Sequence, residues 1–193
     1  MSRPREFDPE EVLEHAMHVF WSKGYELSSL DDICAAAGVS RSTLYATFGD
    51  KRELLRLTLA HYTRNSATRL AELLAPPQPI RTAIASLLEM FVDSIVAGPG
   101  RSGCFIGNCA AELARHDRAA LADVKDSLRC IESILYEALD RAKARGELAR
   151  DADITALSRY FMAAFQGLRL VGKANPDRRV LEDIAATIVR VLG

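Results

Sequence analysis

Residues 38–54 read GVSRSTLYATFGDKREL and bring two glycines, several hydroxyl side chains and three basic residues into the span of two short helices. In the overlapping stretch AAAGVS, residues 35–40, Gly38 permits a sharp turn and Ser40 is suited to cap the helix that follows. Upstream, Ser29 and Asp32 have the three-residue spacing of a capping box. Two short helices joined in this way predict a helix-turn-helix, whose second helix can enter the major groove of DNA.

The second helix of this motif is predicted to turn Leu44 and Phe48 inward and to divide its other residues between two tasks. The N-terminal residues would meet base edges, and the hydroxyl and ammonium groups further along could bind phosphates. The first group is Arg41, Ser42 and Thr43, and the second group is Tyr45, Thr47 and Lys51. An ordinary polar surface on a small helical domain fits the same pattern, so the motif alone leaves both interpretations open.

The rest of the chain is also predicted to be helical. A first helix is capped by Asp8 and ends at Gly24, and Asp50 with Glu53 opens a fourth helix of about 24 residues. The proline-rich APPQP at 75–79 cannot continue that helix. Further helices are predicted at residues 79–97, 103–114, 117–145, 153–173 and 177–192. The sequence therefore predicts an all-α fold of about nine helices and no strands.

Composition limits the function classes. The chain of 193 residues is 49% hydrophobic and carries a net charge of −1, so any basic footprint for nucleic acid must be local. Four basic residues between 39 and 56 oppose only two acidic ones there, and these are Arg41, Lys51, Arg52 and Arg56. No apolar segment approaches the roughly 20 residues that a bilayer requires, so no membrane partner and a cytoplasmic location are expected.

The segment LSSLDDICAAAGVSRSTLYATFGDKREL, residues 27–54, resembles the N-terminal DNA-binding domain of the tetracycline-repressor (TetR) family. The match extends over residues 8–60 and includes the spacing A-x-x-x-F-x-x-x-G-Y at Ala16, Phe20, Gly24 and Tyr25. The resemblance implies a homodimeric regulator, usually a repressor, that binds a double-stranded DNA operator. It also implies a helix-turn-helix domain at 1–55 and a C-terminal ligand-binding and dimerisation domain at 56–193.

Carried over by position, the resemblance places six residues in the DNA-contacting region: Ser40, Arg41, Ser42, Thr43, Tyr45 and Lys51. Arg41 and Thr43 match base readers, and Tyr45 and Lys51 match phosphate contacts. Arg3 and Arg5 precede the first helix, where some relatives use a basic arm. Ala46 stands where a histidine or another polar residue is common, so one groove contact is missing. A symmetric dimer would present two copies of the basic strip, which reconciles DNA binding with a neutral chain.

For the C-terminal domain the resemblance implies a small-molecule effector of unknown identity and a dimer interface on the last two helices. The residues expected at a ligand pocket are Leu88, Phe91, Cys104, Asn108, Phe161, Phe165 and Gln166. Those expected at the interface are Leu168, Leu181, Ile184 and Ile188. Any of these apolar side chains could instead simply belong to the core.

The cysteines suggest an alternative function, a repressor that senses electrophiles or oxidants. Cys104 follows the loop GPGRSG and opens a helix beside Arg101, which predicts a partly accessible thiol with a lowered pKa. Cys34 and Cys130 are expected to be buried and slow to react, with Cys109 intermediate. A packed cysteine that acts as a small hydrophobe is the competing interpretation.

Motifs of enzymes are missing from the sequence, which contains no GxSxG, Walker or HExxH pattern and no glycine-rich dinucleotide loop between a predicted strand and a predicted helix. The cysteines form no CxxC pair, and neither His61 nor His116 has metal-ligand spacing. We therefore predict no enzymatic activity, no catalytic residues, no metal site and no cofactor. A helical adaptor that does not bind DNA remains a third alternative.

Overall fold

A computed structural model describes residues 7–113 and 117–193, and within these ranges the regular structure is helical, with no strand. The helices are α1 (Pro9–Lys23), α2 (Leu30–Ala37), α3 (Arg41–Phe48), α4 (Lys51–Leu73), α5 (Ile80–Ala97), α6 (Phe105–Leu113), α7 (Arg118–Ala144), α8 (Ile154–Ala174) and α9 (Arg178–Arg190). The predicted all-α fold is confirmed, with helix ends within about two residues of those expected. A short 3₁₀ helix, Pro99–Ser102, occupies the segment predicted as a loop.

The chain forms two compact units. The first takes the residues up to 64 together with 108–127, and the second takes 65–107 together with 128–193. The short helix α6 therefore contributes its first turn to the second unit and its remainder to the first. The predicted domain boundary after residue 55 stays a prediction.

Local caps determine where the helices of the first unit begin. The Asp8 carboxylate accepts the N–H of Glu10 at 2.9 Å at the start of α1. Ser29 and Asp32 form the reciprocal capping box of α2, with the N–H of Asp32 3.1 Å from Ser29 Oγ. Each cap satisfies backbone donors that have no partner inside the helix and is worth about 1 kcal/mol.

The turn between α2 and α3 depends on Gly38, which has φ +65° and ψ 26° and donates its N–H to the carbonyl of Cys34. This left-handed conformation is costly for a residue with a Cβ. The turn brings the Ser40 cap of α3 into place directly after α2, while Leu44 and Phe48 are buried as predicted. The exposed side of α3 is thereby fixed relative to a buried anchor.

The second unit has a continuous apolar core built from α5, α8, α9 and the C-terminal half of α7. Its fully buried members include Ile84, Leu88, Leu135, Leu139 and Phe161. At Gly172 of α8 an added Cβ would lie 2.7 Å from Ile95 Cδ1 of α5. The glycine therefore allows these two helices to approach closely. Among the described helices, none combines the length and the apolar character needed to cross a bilayer.

Candidate functional site

The first turn of α3 carries a cluster of hydroxyl groups centred on Ser40. Ser40 Oγ accepts the N–H of Thr43 at 3.1 Å and lies 2.9 Å from Ser42 Oγ and 2.8 Å from Thr43 Oγ1. The cap that starts the helix is thus built from three residues that were predicted to contact DNA. A threonine whose hydroxyl is held in this way keeps its methyl group for contact with a thymine methyl.

The exposed face of α3 contains Arg41, Ser42 and Tyr45, and Thr43 and Thr47 are half-buried. Arg41 forms an ion pair with Asp31 in the first turn of α2, with 3.0 Å between Nε and Oδ1. This partner was not foreseen from the sequence, where Asp31 was read only as part of the α2 segment. The predicted arm residues Arg3 and Arg5 lie outside the described residues.

Lys51 and Arg52 open α4 and differ in what holds them. The ammonium of Lys51 lies 4.4 Å from the centre of the Tyr25 ring, a cation–π contact that leaves its N–H donors available. Arg52 instead forms two hydrogen bonds of 2.8 Å with the carboxylate of Asp117. Two hydrogen bonds lower the pKa of Asp117, and the one from the N–H of Ala120 has a larger effect than the one from Arg52. The Asp117 carboxylate therefore stays charged. Of these two cations, Lys51 is the better placed to exchange its contact for a phosphate.

Arg56 is the last of the four basic residues between 39 and 56, and its carboxylate partner lies in the same helix, α4. Its Nε lies 2.9 Å from Glu53 Oε2. Together with the pairs Arg41–Asp31 and Arg52–Asp117, this contact means that each strip arginine has a carboxylate partner in the chain. A phosphate that approached one of these arginines would have to compete with its carboxylate.

Glu112, in the last turn of α6, holds the turn between α1 and α2. Its two carboxylate oxygens accept the N–H groups of Tyr25, at 2.9 Å, and Glu26, at 2.8 Å. A Cβ added at Gly24 would lie 3.1 Å from both oxygens. The sequence did not predict this contact, because no local pattern links residue 112 to residues 24–26. The turn that precedes the helix-turn-helix is thus held by a residue outside the N-terminal segment.

The aromatic residues predicted to line a ligand pocket pack against one another in the second unit. Phe161 is fully buried, and Phe165 is nearly so. The half-buried Phe91 makes an edge-to-face contact with Phe165, with 5.8 Å between ring centres, and the guanidinium of Arg169 lies 4.0 Å from the Phe91 ring centre. Among these aromatics, Phe91 is the one with an exposed part.

An open groove of about 610 Å³ runs between α5 and α9. Of the predicted pocket residues, Leu88 lines it, together with charged residues such as Arg81 and Arg178. Asn108, another predicted pocket residue, belongs to the first unit. The remaining candidates, Cys104 and Gln166, contact each other elsewhere in the second unit.

The expected accessibility of the cysteines is corrected at two positions. Cys104 is 6% exposed rather than partly accessible, because residues 99–102 form a 3₁₀ turn in place of an open loop. Arg101 donates to the carbonyls of Ile95 and Val96 at the end of α5. Cys130 is exposed rather than buried, since its position on α7 differs from that of its apolar neighbours in sequence.

The other two cysteines are less accessible than Cys130. Cys109 is buried, and Cys34 is half-buried. Burial is the largest of the effects that raise the pKa of the Cys34 thiol above its ordinary value. At Cys104 the Nε2 of Gln166 donates to Sγ at 3.4 Å. A Cβ at Gly107 would lie 2.8 Å from Gln166 Oε1, so the glycine leaves room for this amide. Cys104 therefore combines burial with a hydrogen-bond donor.

Three of the four predicted interface residues are buried within the single chain. Leu168, Leu181 and Ile188 are each at most 4% exposed, and Ile184 is half-buried. They pack into the core of the second unit, so little of their surface is left for a partner to cover. The large hydrophobic side chains that α8 and α9 do expose include Tyr160, Leu170, Val171 and Val180.

Comparison with known proteins gives a match to a family model in each of two segments of the chain. The family model for bacterial regulatory proteins of the tetR family matches residues 12–57, and a model for a tetracyclin repressor-like C-terminal domain matches residues 81–188. An uncharacterized HTH-type transcriptional regulator, YezE of Bacillus subtilis (strain 168), is 32% identical over 193 residues, which is all of both chains. The HTH-type transcriptional repressor ComR of Escherichia coli (strain K12) is 30% identical over 98% of this chain and 90% of its own.

Among solved structures, a cysteine mutant of the TetR family transcriptional regulator CifR superimposes with a TM-score of 0.88. It is 28% identical, and the match covers all of both chains. That structure was determined in complex with a 26-bp double-strand operator DNA. The likeness therefore covers the helices of both units.

Proposed function

The chain belongs to the tetR family of bacterial regulatory proteins, and on that basis we propose that it is a ligand-responsive repressor that binds a palindromic operator as a homodimer. The observation that carries the proposal is the exposed N-terminal face of α3, built on the buried Leu44 and Phe48. ComR is a repressor, and CifR has been captured on operator DNA. ComR supports a repressor function for this chain, and CifR supports binding to an operator.

In the proposed complex α3 lies in the major groove with its first turn against base edges. Arg41 and Thr43 carry sequence information, while Tyr45 and Lys51 bind the phosphate backbone. Lys51 is suited to this because its ammonium rests on an aromatic ring and is not tied to a carboxylate there. The hydroxyls of Ser40, Ser42 and Thr47 complete the contact surface.

Two substitutions test this division of roles. Lys51→Ala should weaken specific and non-specific duplexes alike and reduce the salt slope of binding by about one, since one phosphate contact is lost. Arg41→Ala should instead change the base preference at particular operator positions. Operators come from genome-wide mapping of bound sites, and affinities from gel-shift titration at several salt concentrations. An adaptor that does not bind DNA would be indifferent to both substitutions.

The homodimer is proposed to form through the exposed apolar side chains of α8 and α9. Leu170 is 69% exposed, and Val171 and Val180 are also exposed. Apolar surface of this kind on neighbouring helices is typical of interaction sites. Leu170→Asp should therefore yield monomers and weaken operator binding. Leu27→Asp is the control, because Leu27 is 83% exposed but lies on the turn before α2. Light scattering that shows a wild-type monomer at micromolar concentration would remove the dimer.

Effector control is proposed to act through α6. This helix begins beside Gln166 in the second unit and ends with Glu112 on the turn at Tyr25 in the first. An effector that binds the second unit more tightly when α6 is displaced would withdraw Glu112 from the turn and favour release of DNA. A metabolite screen by thermal shift, followed by gel shift, tests this, and absence of any DNA-releasing compound counts against it.

A thiol sensor is the second candidate, favoured by the hydrogen bond from Gln166 to Cys104 Sγ. A donated hydrogen bond at the start of a helix stabilises a thiolate. Site-resolved alkylation rates on the native protein provide the test, with the exposed Cys130 as reference. If Cys104 reacts faster than Cys130 despite its burial, and Cys104→Ser abolishes DNA release by oxidant, the sensor is supported. Slower reaction at Cys104 than at Cys130 would instead support the interpretation that Cys104 is a packed core residue.

A further inference from the structure

The ion pair between Arg41 and Asp31 joins the proposed reading helix to the helix before it. Arg41 is the first residue of α3, and Asp31 is the second residue of α2. The contact runs from Nε to Oδ1 at 3.0 Å, and the two side chains are 60% and 71% exposed. Both groups are therefore accessible to solvent at the start of α3, whose exposed face is proposed to contact DNA.

We propose that Asp31 is a specificity-determining positioning residue, which holds Arg41 in the orientation that reads a guanine in the major groove. The proposal rests on the DNA-binding function proposed above and deepens it. A guanine presents O6 and N7 to a pair of arginine N–H donors. Because Asp31 contacts Nε, the two terminal nitrogens of Arg41 remain for this bidentate contact.

Orientation matters because a free arginine side chain occupies many rotamers, and fixing it on a base costs affinity. An exposed ion pair adds little to fold stability. The effect of Asp31 should therefore be seen in DNA recognition and not in unfolding. Arg52 shows the contrasting arrangement, since its Nε and one terminal nitrogen are both bound by Asp117. That arginine has one terminal nitrogen left and cannot make the same two-donor contact without losing its partner.

Charge alone predicts a different behaviour for Asp31. A carboxylate beside the DNA surface repels phosphates of every sequence, so removing it would strengthen binding to all duplexes equally. If Asp31 acted only through a favourable interaction with the N-terminus of α2, its removal would change the stability of that helix and would leave DNA recognition unchanged. Positioning differs from both, because it predicts opposite changes for a preferred duplex and for a scrambled one.

The experiment compares two probes: a duplex enriched by the wild-type protein from a randomised library, and a scrambled duplex of the same composition. Asp31→Asn should lower the ratio of the two affinities about two- to tenfold, the cost of fixing one free side chain. Binding to the scrambled duplex should rise, and its salt slope should steepen by about one, because the released Arg41 can contact a phosphate.

Three further variants separate positioning from charge and from folding. Glu26→Gln removes another exposed carboxylate of the same unit and should leave the affinity ratio unchanged. Asp31→Glu keeps the charge at the α2 N-terminus but moves the carboxylate, so it too should lower the ratio. In an Arg41→Ala background, Asp31→Asn should not change the ratio at all. Thermal unfolding of each variant should match that of its parent.

Equal strengthening of both duplexes by Asp31→Asn would overturn the proposal, as would the same loss of discrimination in the Arg41→Ala background. The first result assigns Asp31 a purely repulsive charge, and the second shows that it acts without Arg41. Failure of the DNA-binding function itself looks different, because the wild-type protein would then enrich no duplex from the library.

Discussion

The α1–α3 segment and the second unit place their key residues by different means. In α1–α3 each helix begins at a cap formed by a residue within three positions, as Ser40 shows for α3. In the second unit the decisive contacts join residues far apart in sequence, such as Gly172 with Ile95 and Gln166 with Cys104. The proposed reading surface therefore follows from local chemistry, whereas the regulatory half depends on packing. The substitutions below test this difference.

Phe161→Ala should cause the largest change. Phe161 is fully buried, so its removal should lower the free energy of unfolding by about 3–5 kcal/mol, measured by urea denaturation. Phe91→Ala is the matched control in the same aromatic cluster, and it should cost less because Phe91 is only half-buried. A cost below about 1 kcal/mol for Phe161 would mean that the residue faces a cavity that tolerates truncation, as the sequence-based pocket prediction supposed.

Glu112→Gln should have the next largest effect, on the contact that ties α6 to the turn after α1. The amide can accept one of the two N–H groups, and the other faces an NH₂ group, which costs about 1–3 kcal/mol. Hydrogen exchange at the amides of Tyr25 and Glu26 should become faster. Glu89→Gln, an exposed carboxylate on α5, provides the control and should leave these amides unchanged. Unaltered protection in Glu112→Gln would mean that the α1–α2 turn stands without α6.

The fold and the first turn of α3 were largely predictable, for reasons that particular residues show. Gly38 and Ser40 specify their turn and cap through their own backbone and side chain, so spacing along the sequence was sufficient. The burial of Cys104 was missed because PGRS looks like an open loop and its 3₁₀ turn forms only against α5. A Cβ at Gly100 would lie 2.7 Å from the Ile95 backbone nitrogen, and this packing has no local sequence pattern.

Partners across long separations could not be predicted in the same way. Glu112 and Asp117 bind the N-terminal helices from far along the chain, and periodicity says nothing about such pairs. For the dimer interface, an apolar helix face predicted burial correctly but could not distinguish burial in the chain's own core from burial against a partner. Leu181 lies in the core, and Leu170 lies on the surface.

Gly38→Ala tests the local rule directly. With φ at +65°, the substitution should cost about 1–2 kcal/mol, although open space surrounds the site and no side chain clashes. Gly167→Ala is the matched control, since Gly167 also has nothing within 4 Å but lies in regular α-helix. There alanine should stabilise by up to about 1 kcal/mol. Equal effects at both sites, measured by urea denaturation, would show that the left-handed turn is not what fixes α3.

Asp32 provides the smallest and most specific test, because its effect depends on pH. The side-chain hydrogen bond from Lys23, followed by the bonds from Ser29, lowers the pKa of Asp32 from 3.8 to about 2. A carboxyl whose pKa is lower in the folded state adds stability that is fully present above its unfolded pKa. That contribution is lost as the pH falls from about 4 to about 2 and the folded-state carboxylate becomes protonated.

The difference in unfolding free energy between the wild type and Asp32→Asn should therefore be constant near neutral pH and shrink over this window. A difference that stayed constant down to pH 2 would mean that the capping box of α2 works equally well with a neutral side chain. The charge of Asp32 would then play no part in starting α2.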